Sequence, residues 1–136
     1  METLTATLTG LVRFLLHFIP AVAILFAFMW LYSLTTPYDE VALIKANNPA
    51  ASLTYCGALV GFALPVASAL ANSINVIDFV VWAVVAAVIQ LLVFQIFTRF
   101  YPLIVSRVEA GEIAASGKLA AISVAVGLLN AAAMTY

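Results

Sequence analysis

Four long apolar segments constrain the fold of this chain more than any other feature. They cover approximately residues 14–34, 51–73, 78–100 and 114–136. A helix rises about 1.5 Å per residue and the hydrocarbon core is about 30 Å thick, so about 20 apolar residues cross it. Backbone groups in lipid must be hydrogen-bonded within the segment, which favours helices. The sequence predicts an all-α integral membrane protein with four transmembrane helices, and a single membrane domain over residues 1–136.

The composition supports lipid as the medium around these segments. Hydrophobic residues make up 66% of the chain and charged residues 8%, whereas soluble domains have about 45–50% and about 25%. The net charge of -1 leaves no basic surface for nucleic acid. The five Lys and Arg residues are scattered, which argues against a polybasic lipid-binding segment. We therefore expect membrane lipids, and no nucleic acid, among the partners.

The N-terminal apolar segment is too long for a signal peptide, because it continues from Arg13 to about Leu34. We expect it to be retained as a span. The single cysteine, Cys56, excludes an intrachain disulfide and a multi-cysteine metal site. Its apolar surroundings in the sequence predict a small buried side chain.

Residues at the segment ends have the chemistry expected at membrane interfaces and helix termini. Asp78 is predicted to cap the third helix or to favour its positive N-terminal dipole, and Ser116 or Ser52 is predicted to open the helix that it precedes. Amphipathic rings are favoured where lipid meets water. Six aromatic residues are predicted to lie there: Trp30, Tyr32, Tyr38, Phe100, Tyr101 and Tyr136.

Basic residues predict the orientation of the spans. Lys45 lies in the first connector, and Arg107, with Arg99 and Lys118 at its margins, lies in the third. The opposite side has only Arg13. The positive-inside rule therefore places the first and third connectors in the cytoplasm and both termini on the outer, periplasmic side.

An internal duplication is predicted from matches at an offset of 64 residues, such as Val41 with Val105 and Leu64 with Leu128. The two units, residues 14–73 and 78–136, each contain a helix, a connector and a second helix. An even number of spans per unit gives parallel repeats rather than inverted ones. The connectors 38–46 and 103–110 space apolar residues three apart, which is typical of short interfacial helices; irregular loops are the alternative.

The sequence resembles the YjfL-like family of bacterial inner-membrane proteins, whose domain is of unknown function. The resemblance covers almost the whole chain after Phe14. It rests on residues 57–62 (GALVGF), 67–69 (ASA), Asp78 with Trp82, 90–94 (QLLVF) and 124–134 (VAVGLLNAAAM). It implies a duplicated two-helix unit in the bacterial plasma (inner) membrane, and it implies no catalytic residue.

Polar side chains inside the predicted spans are candidate functional residues, because such groups are costly in lipid. They are Gln90 and Gln95 in the third span and Ser123 and Asn130 in the fourth. Two interpretations are open. These groups line a polar contact point or a permeation path, or they only form interhelical hydrogen bonds, worth about 0.6–2 kcal/mol each.

A second candidate cluster is predicted at the outer face: His17, Asn72, Asn75 and Asp78. A histidine and a carboxylate can form a proton-sensing pair, although this set is sparse for a transition metal. Helix capping and hydrated loop contacts explain Asn72, Asn75 and Asp78 more simply. We expect no metal site and no cofactor.

Small residues at helical spacing on the second and fourth spans predict tight packing of these faces, either within the bundle or between copies of the chain. The second span has Gly57, Gly61, Pro65 and Ser68 along one face, and the fourth has Gly127. Pro65 is expected to kink its helix.

The sequence contains no nucleophile–base set, catalytic carboxylate pair or phosphate-binding loop, so we expect no enzyme. A proton-coupled exporter is disfavoured because no Asp or Glu lies in the middle of a predicted span. We expect a structural or partner-binding subunit that self-associates as a homo-oligomer and binds a further cytoplasmic or membrane protein. The alternative is an oligomeric channel or transporter for a small ion or solute.

Overall fold

The structure is a computed structural model, and it describes residues 1–134. Six helices are described: α1 (Glu2–Thr35), α2 (Glu40–Lys45), α3 (Pro49–Asn72), α4 (Val76–Phe100), α5 (Ile104–Glu109) and α6 (Ile113–Ala133). The four long ones, α1, α3, α4 and α6, are long and apolar enough to cross a membrane. The prediction of an all-α membrane protein with four spans is confirmed. Tyr136, predicted to lie at an interface, is outside the described residues.

Helix α1 begins twelve residues before the predicted start of the first span. The threonines at 5, 7 and 9 do not interrupt it, because their hydroxyls donate to carbonyls four residues earlier, as Thr7 does to Thr3 (2.8 Å). All residues from 1 to 19 are exposed. The helix therefore packs against the bundle mainly through its second half.

Helices α3 and α6 form the centre of the bundle, with α4 and the second half of α1 beside them. Phe28 of α1 stacks on Phe62 of α3 at 4.0 Å between ring centroids. Tyr32 meets Phe94 of α4 edge-to-face at 5.9 Å, and Tyr38 meets the same ring at 6.3 Å. Tyr32 and Tyr38 are buried, and their rings fill the space between α1 and α4; their place near a membrane interface stays a prediction.

The short helices α2 and α5 lie at the same end of the bundle, which we call the connector side. Two residues after each helix ends, the backbone adopts a left-handed conformation, at Asn47 (φ 65°) after α2 and at Gly111 (φ 79°) after α5. In both, the next amide donates back to a carbonyl five residues earlier, Asn48 to Leu43 (2.9 Å) and Glu112 to Arg107 (3.0 Å). This is the Schellman ending of a helix. The connectors are helices, as predicted.

The starts of α2 and α5, at Glu40 and Ile104, are 64 residues apart, as are the starts of α3 and α6 at Pro49 and Ile113. The two left-handed residues are separated by the same distance in sequence. This shared geometry is what a duplicated unit would give. The duplication itself stays a prediction.

Two smaller expectations are wrong. Asn48 and Asn75, not Ser52 and Asp78, cap α3 and α4, although Asp78 does lie in the first turn of α4, as its dipole alternative requires. Ser116 lies inside α6, where its hydroxyl donates to the Glu112 carbonyl (3.1 Å). Cys56 is exposed rather than buried, because it lies on the side of α3 away from α6.

Candidate functional site

The closest approach of two helices is between α3 and α6. A Cβ atom added to Gly57 would lie 2.6 Å from the Cα of Ala120. One added to Gly61 would overlap the Ser123 carbonyl, and one added to Gly127 would overlap the backbone of Gly61. The missing side chains therefore let the two backbones touch, as small residues do between membrane helices.

The same face of α3 holds two more of the predicted packing residues. Pro65 is completely buried. Ser68, one turn further on, donates its hydroxyl to the Ala131 carbonyl of α6 (2.8 Å). The five residues predicted for helix packing thus all lie on α3 or α6, and the four with described contacts meet the partner helix.

Gln90 of α4 lies against this contact, and only 2% of it is exposed. Its Nε2 donates to the Gly61 carbonyl of α3 (3.0 Å) and to the Ser123 carbonyl of α6 (3.2 Å). Its Oε1 is enclosed and has no hydrogen-bond partner within residues 1–134. One amide near the middle of the span thus joins three helices.

The other predicted intramembrane groups do not gather around Gln90 in the same way. Ser123 contributes its carbonyl oxygen to the junction. Asn130 lies seven residues further along α6, about 10 Å away, and its enclosed Nδ2 has no partner in the described part of the chain. Gln95 is exposed, with its Nε2 at 3.5 Å from the Thr35 carbonyl. The structure therefore brings together Gln90 and Ser123 and leaves Gln95 apart.

The predicted outer-face cluster resolves into local hydrogen bonds. Asn75 accepts from the Asp78 amide (2.9 Å), and Asp78 accepts from the Ile74 amide (3.1 Å). Asn72 donates to the Ser68 carbonyl (2.8 Å), and Nδ1 of His17 lies 2.8 Å from the Arg13 carbonyl. Among residues 1–134, no three His, Cys, Asp or Glu side chains lie together as a metal site.

A second polar site lies at the connector side, and the sequence analysis missed it. Glu40, the first residue of α2, is only 1% exposed. The Thr36 hydroxyl donates to its Oε1. Burial raises the pKa of the Glu40 carboxyl above its usual value, and the hydrogen bonds from Thr36 and Ser33 partly oppose the rise.

Tyrosine and threonine hydroxyls surround this carboxyl, and no ion pair to it is found within residues 1–134. Burial raises the pKa of Tyr38 to about 12, partly offset by the nearby Thr54 hydroxyl. Thr54 is itself buried, on α3. A buried carboxylate without a cation is costly, so this pocket favours a protonated Glu40.

The matching position of the second connector is chemically different. Ile104, 64 residues after Glu40, is also completely buried. A similar backbone position thus holds an acid in one half and an alkyl side chain in the other. Only the Glu40 pocket can exchange a proton, which makes it a candidate functional site beside the Gln90 junction.

Comparison with known sequences places this architecture among uncharacterised membrane proteins. Residues 6–134 match the family model described as Domain of Unknown Function (DUF350). The chain is 37% identical, over 129 residues, to the UPF0719 inner membrane protein YjfL of Escherichia coli K12, covering 95% of this chain and 98% of that one. The protein of the same name in Escherichia coli O157:H7 matches with the same values. No solved structure matches.

Proposed function

Because this chain belongs to the DUF350 family and is a multi-pass inner-membrane protein of unknown activity, we propose its role from geometry: a structural, partner-binding membrane subunit. The proposal includes self-association and no enzymatic activity. The observation that carries it is the closed junction of α3, α4 and α6 around Gln90.

The buried amide in the middle of the third span points into the bundle. Gln90 faces the interior of its own bundle, where its amide is bonded to the carbonyls of Gly61 and Ser123. It cannot line a pore between copies unless these bonds break and the helix rotates. The alternative of an oligomeric channel lined by Gln90 therefore has less support than a role in joining helices.

The connector side offers a charged surface for a partner. The Asn48 side chain donates to the Val108 carbonyl (2.8 Å), which holds the end of α5 against the start of α3. Charged side chains around α2 and α5 are exposed there: Asp39, Lys45, Arg107, Glu109 and Glu112. Mixed charges on a fixed surface favour recognition of a protein with complementary charges.

The first half of α1 supports self-association. Its side chains are exposed over residues 1–19, and a Cβ atom added to Gly10 would meet nothing within 4 Å. Ala6 and Gly10 lie one turn apart, a spacing that permits close approach of another helix. We propose a second copy of α1 as the neighbour.

A flux experiment separates this role from a channel. The full-length protein in liposomes is expected to carry no ion flux above that of empty liposomes. Flux that Gln90→Leu abolishes, with the protein still folded, would reject the structural role. Photo-cross-linking from Lys45 and Arg107 in membranes is expected to capture a partner protein, with Trp30, exposed within the first span, as the control position.

Self-association is tested by disulfide formation in a Cys56→Ser background. Gly10→Cys is expected to give a cross-linked dimer on mild oxidation. Val84→Cys, on the exposed side of α4, serves as the control and is expected to stay monomeric. Equal cross-linking at both positions would contradict a specific contact through α1.

A proton-coupled transporter is the second candidate, and Glu40 is the observation that favours it. No Asp or Glu lies in the middle of a predicted span, but Glu40 is buried in the connector helix α2, just beyond the end of α1. A pH gradient across liposomes is then expected to drive solute or cation movement. Glu40→Gln would abolish it, while Asp39→Asn, at an exposed neighbour, would not.

A further inference from the structure

A groove between α4 and α6 has two parts. The part at the connector side has a volume of about 570 Å³ and is lined by Tyr101, Arg107 and Lys118, among others. The deeper part has a volume of about 400 Å³ and a lining that includes Leu92, Ile96 and Val126. Phe97, Phe100 and Ile122 line both parts, so they form one continuous groove.

The groove changes from charged to apolar along its length. Lys118 and Val126 are eight residues apart on α6, about 12 Å along the helix axis. The charged end lies beside α5, at the boundary of the membrane. The apolar end lies within the span. A ligand that fits both ends has an anionic group at the interface and a hydrocarbon chain in the membrane.

Of the two cations of this groove, Arg107 has a long ion pair with the protein and Lys118 has none among residues 1–134. Arg107 lies over the Tyr101 ring, 5.7 Å from its centroid. Its Nε is 3.8 Å from Glu112 Oε2, which is longer than a hydrogen bond. No ion pair of Lys118 is found within residues 1–134. The fold thus brings together two basic residues that look scattered in the sequence.

We propose that this groove binds an anionic phospholipid. Its phosphate lies between Arg107 and Lys118, and one acyl chain follows Ile96, Ile122 and Val126 into the membrane. Basic pockets beside spans attract anionic lipid headgroups, and the apolar lining excludes a free phosphate as the full ligand. The site shares Arg107 with the connector side proposed to bind a partner, whereas Lys118 and the apolar lining belong to the groove alone.

The test uses native mass spectrometry of the full-length protein with defined lipids of equal chain length. Phosphatidylglycerol is expected to bind more tightly than phosphatidylcholine. The double variant Arg107→Gln, Lys118→Gln is expected to weaken phosphatidylglycerol binding about 30-fold, since each basic residue near the surface contributes about 1 kcal/mol. Both side chains are exposed, so the fold is retained.

Matched variants and ligands decide the outcome. Lys45→Gln together with Arg99→Gln removes two exposed cations that do not line the groove and is expected to leave binding unchanged. Glycerol phosphate at millimolar concentration is expected not to compete. Equal binding of the two lipids, an equal loss in the control variant, or competition by glycerol phosphate would each overturn the proposal.

Discussion

The pair α3–α6 and the helix α1 are both apolar, yet they are packed differently. Between α3 and α6 the backbones touch, with no room for a Cβ atom at Gly57, Gly61 or Gly127. Helix α1 meets the bundle through large rings, such as Phe28 on Phe62, and its first half is exposed. Hydrophobicity puts a helix in the membrane, whereas small residues and a few polar bonds determine which helices it joins.

The largest expected effect comes from adding a methyl group at the centre of the contact between α3 and α6. Gly127→Ala is expected to destabilise the bundle by about 1–3 kcal/mol, because the new Cβ overlaps the Gly61 backbone, which cannot move aside. Stability is measured by thermal or denaturant unfolding in detergent micelles.

Gly117 provides the control on the same helix. A Cβ atom added there meets nothing within 4 Å, so Gly117→Ala is expected to leave stability unchanged or raise it by up to about 1 kcal/mol. Equal destabilisation by the two substitutions would show that α3 and α6 are not in close contact.

The next largest effect is expected at the amide that holds the pair to α4. Gln90→Leu removes the bonds to the Gly61 and Ser123 carbonyls and is expected to cost about 0.6–2 kcal/mol. Gln95→Leu, at an exposed amide of the same helix, is expected to change little. A larger loss of stability in Gln95→Leu than in Gln90→Leu, in the same unfolding assay, would contradict the role given to the Gln90 amide.

The attachment of α1 is tested by pH, because Thr36, just after its last residue, bonds to Glu40. Burial raises the pKa of Glu40 in the folded state above its unfolded value near 4.5. Stability from this group is therefore complete below that value and is lost as pH rises through the folded-state pKa.

Glu40→Gln keeps the shape and removes the titration. The wild type is expected to lose stability as pH rises through this interval, and the variant is expected not to. Asp39→Asn, at the exposed cap of α2, should keep the wild-type pH dependence. Parallel pH profiles of the wild type and Glu40→Gln would exclude Glu40 as the titrating group.

The smallest effect is expected on the exposed half of α1. Gly10→Ala is expected to change monomer stability by less than about 1 kcal/mol, and any change should be an increase, because the site is open. Unfolding at low protein concentration, where copies are separated, measures this value. A loss of more than 1 kcal/mol would place α1 in a tighter contact than the structure does.

The four spans and the two connector helices could be predicted because their signals are local: apolar length and three-residue spacing. The close-packing faces of α3 and α6 could also be predicted, since glycines at helical spacing mark where backbones approach. Which helix each glycine face packs against could not be predicted, because Gly61 and Gly127 meet only when the fold brings distant segments together. Likewise, Arg107 and Lys118 are eleven residues apart in sequence but line one groove.

Glu40 was missed because a charged residue in a short connector is usually solvated. Its sequence neighbour Asp39 is exposed, so the sequence gives no sign that one acid is buried and the other is not. Glu40 lies near Tyr32 and Tyr38, and all three side chains are buried in the fold. Hydropathy alone does not predict where the fold places such amphipathic rings.

The contact between α3 and α6 has a consequence for biogenesis. Residues 73–112 separate the two helices in the chain, and at about 5–20 residues per second their synthesis takes about 2–8 seconds. During that interval the glycine face of α3 is already made while its partner does not yet exist. Lipid or the insertion machinery must shield that face, and a chain stopped before α6 emerges cannot close its interior.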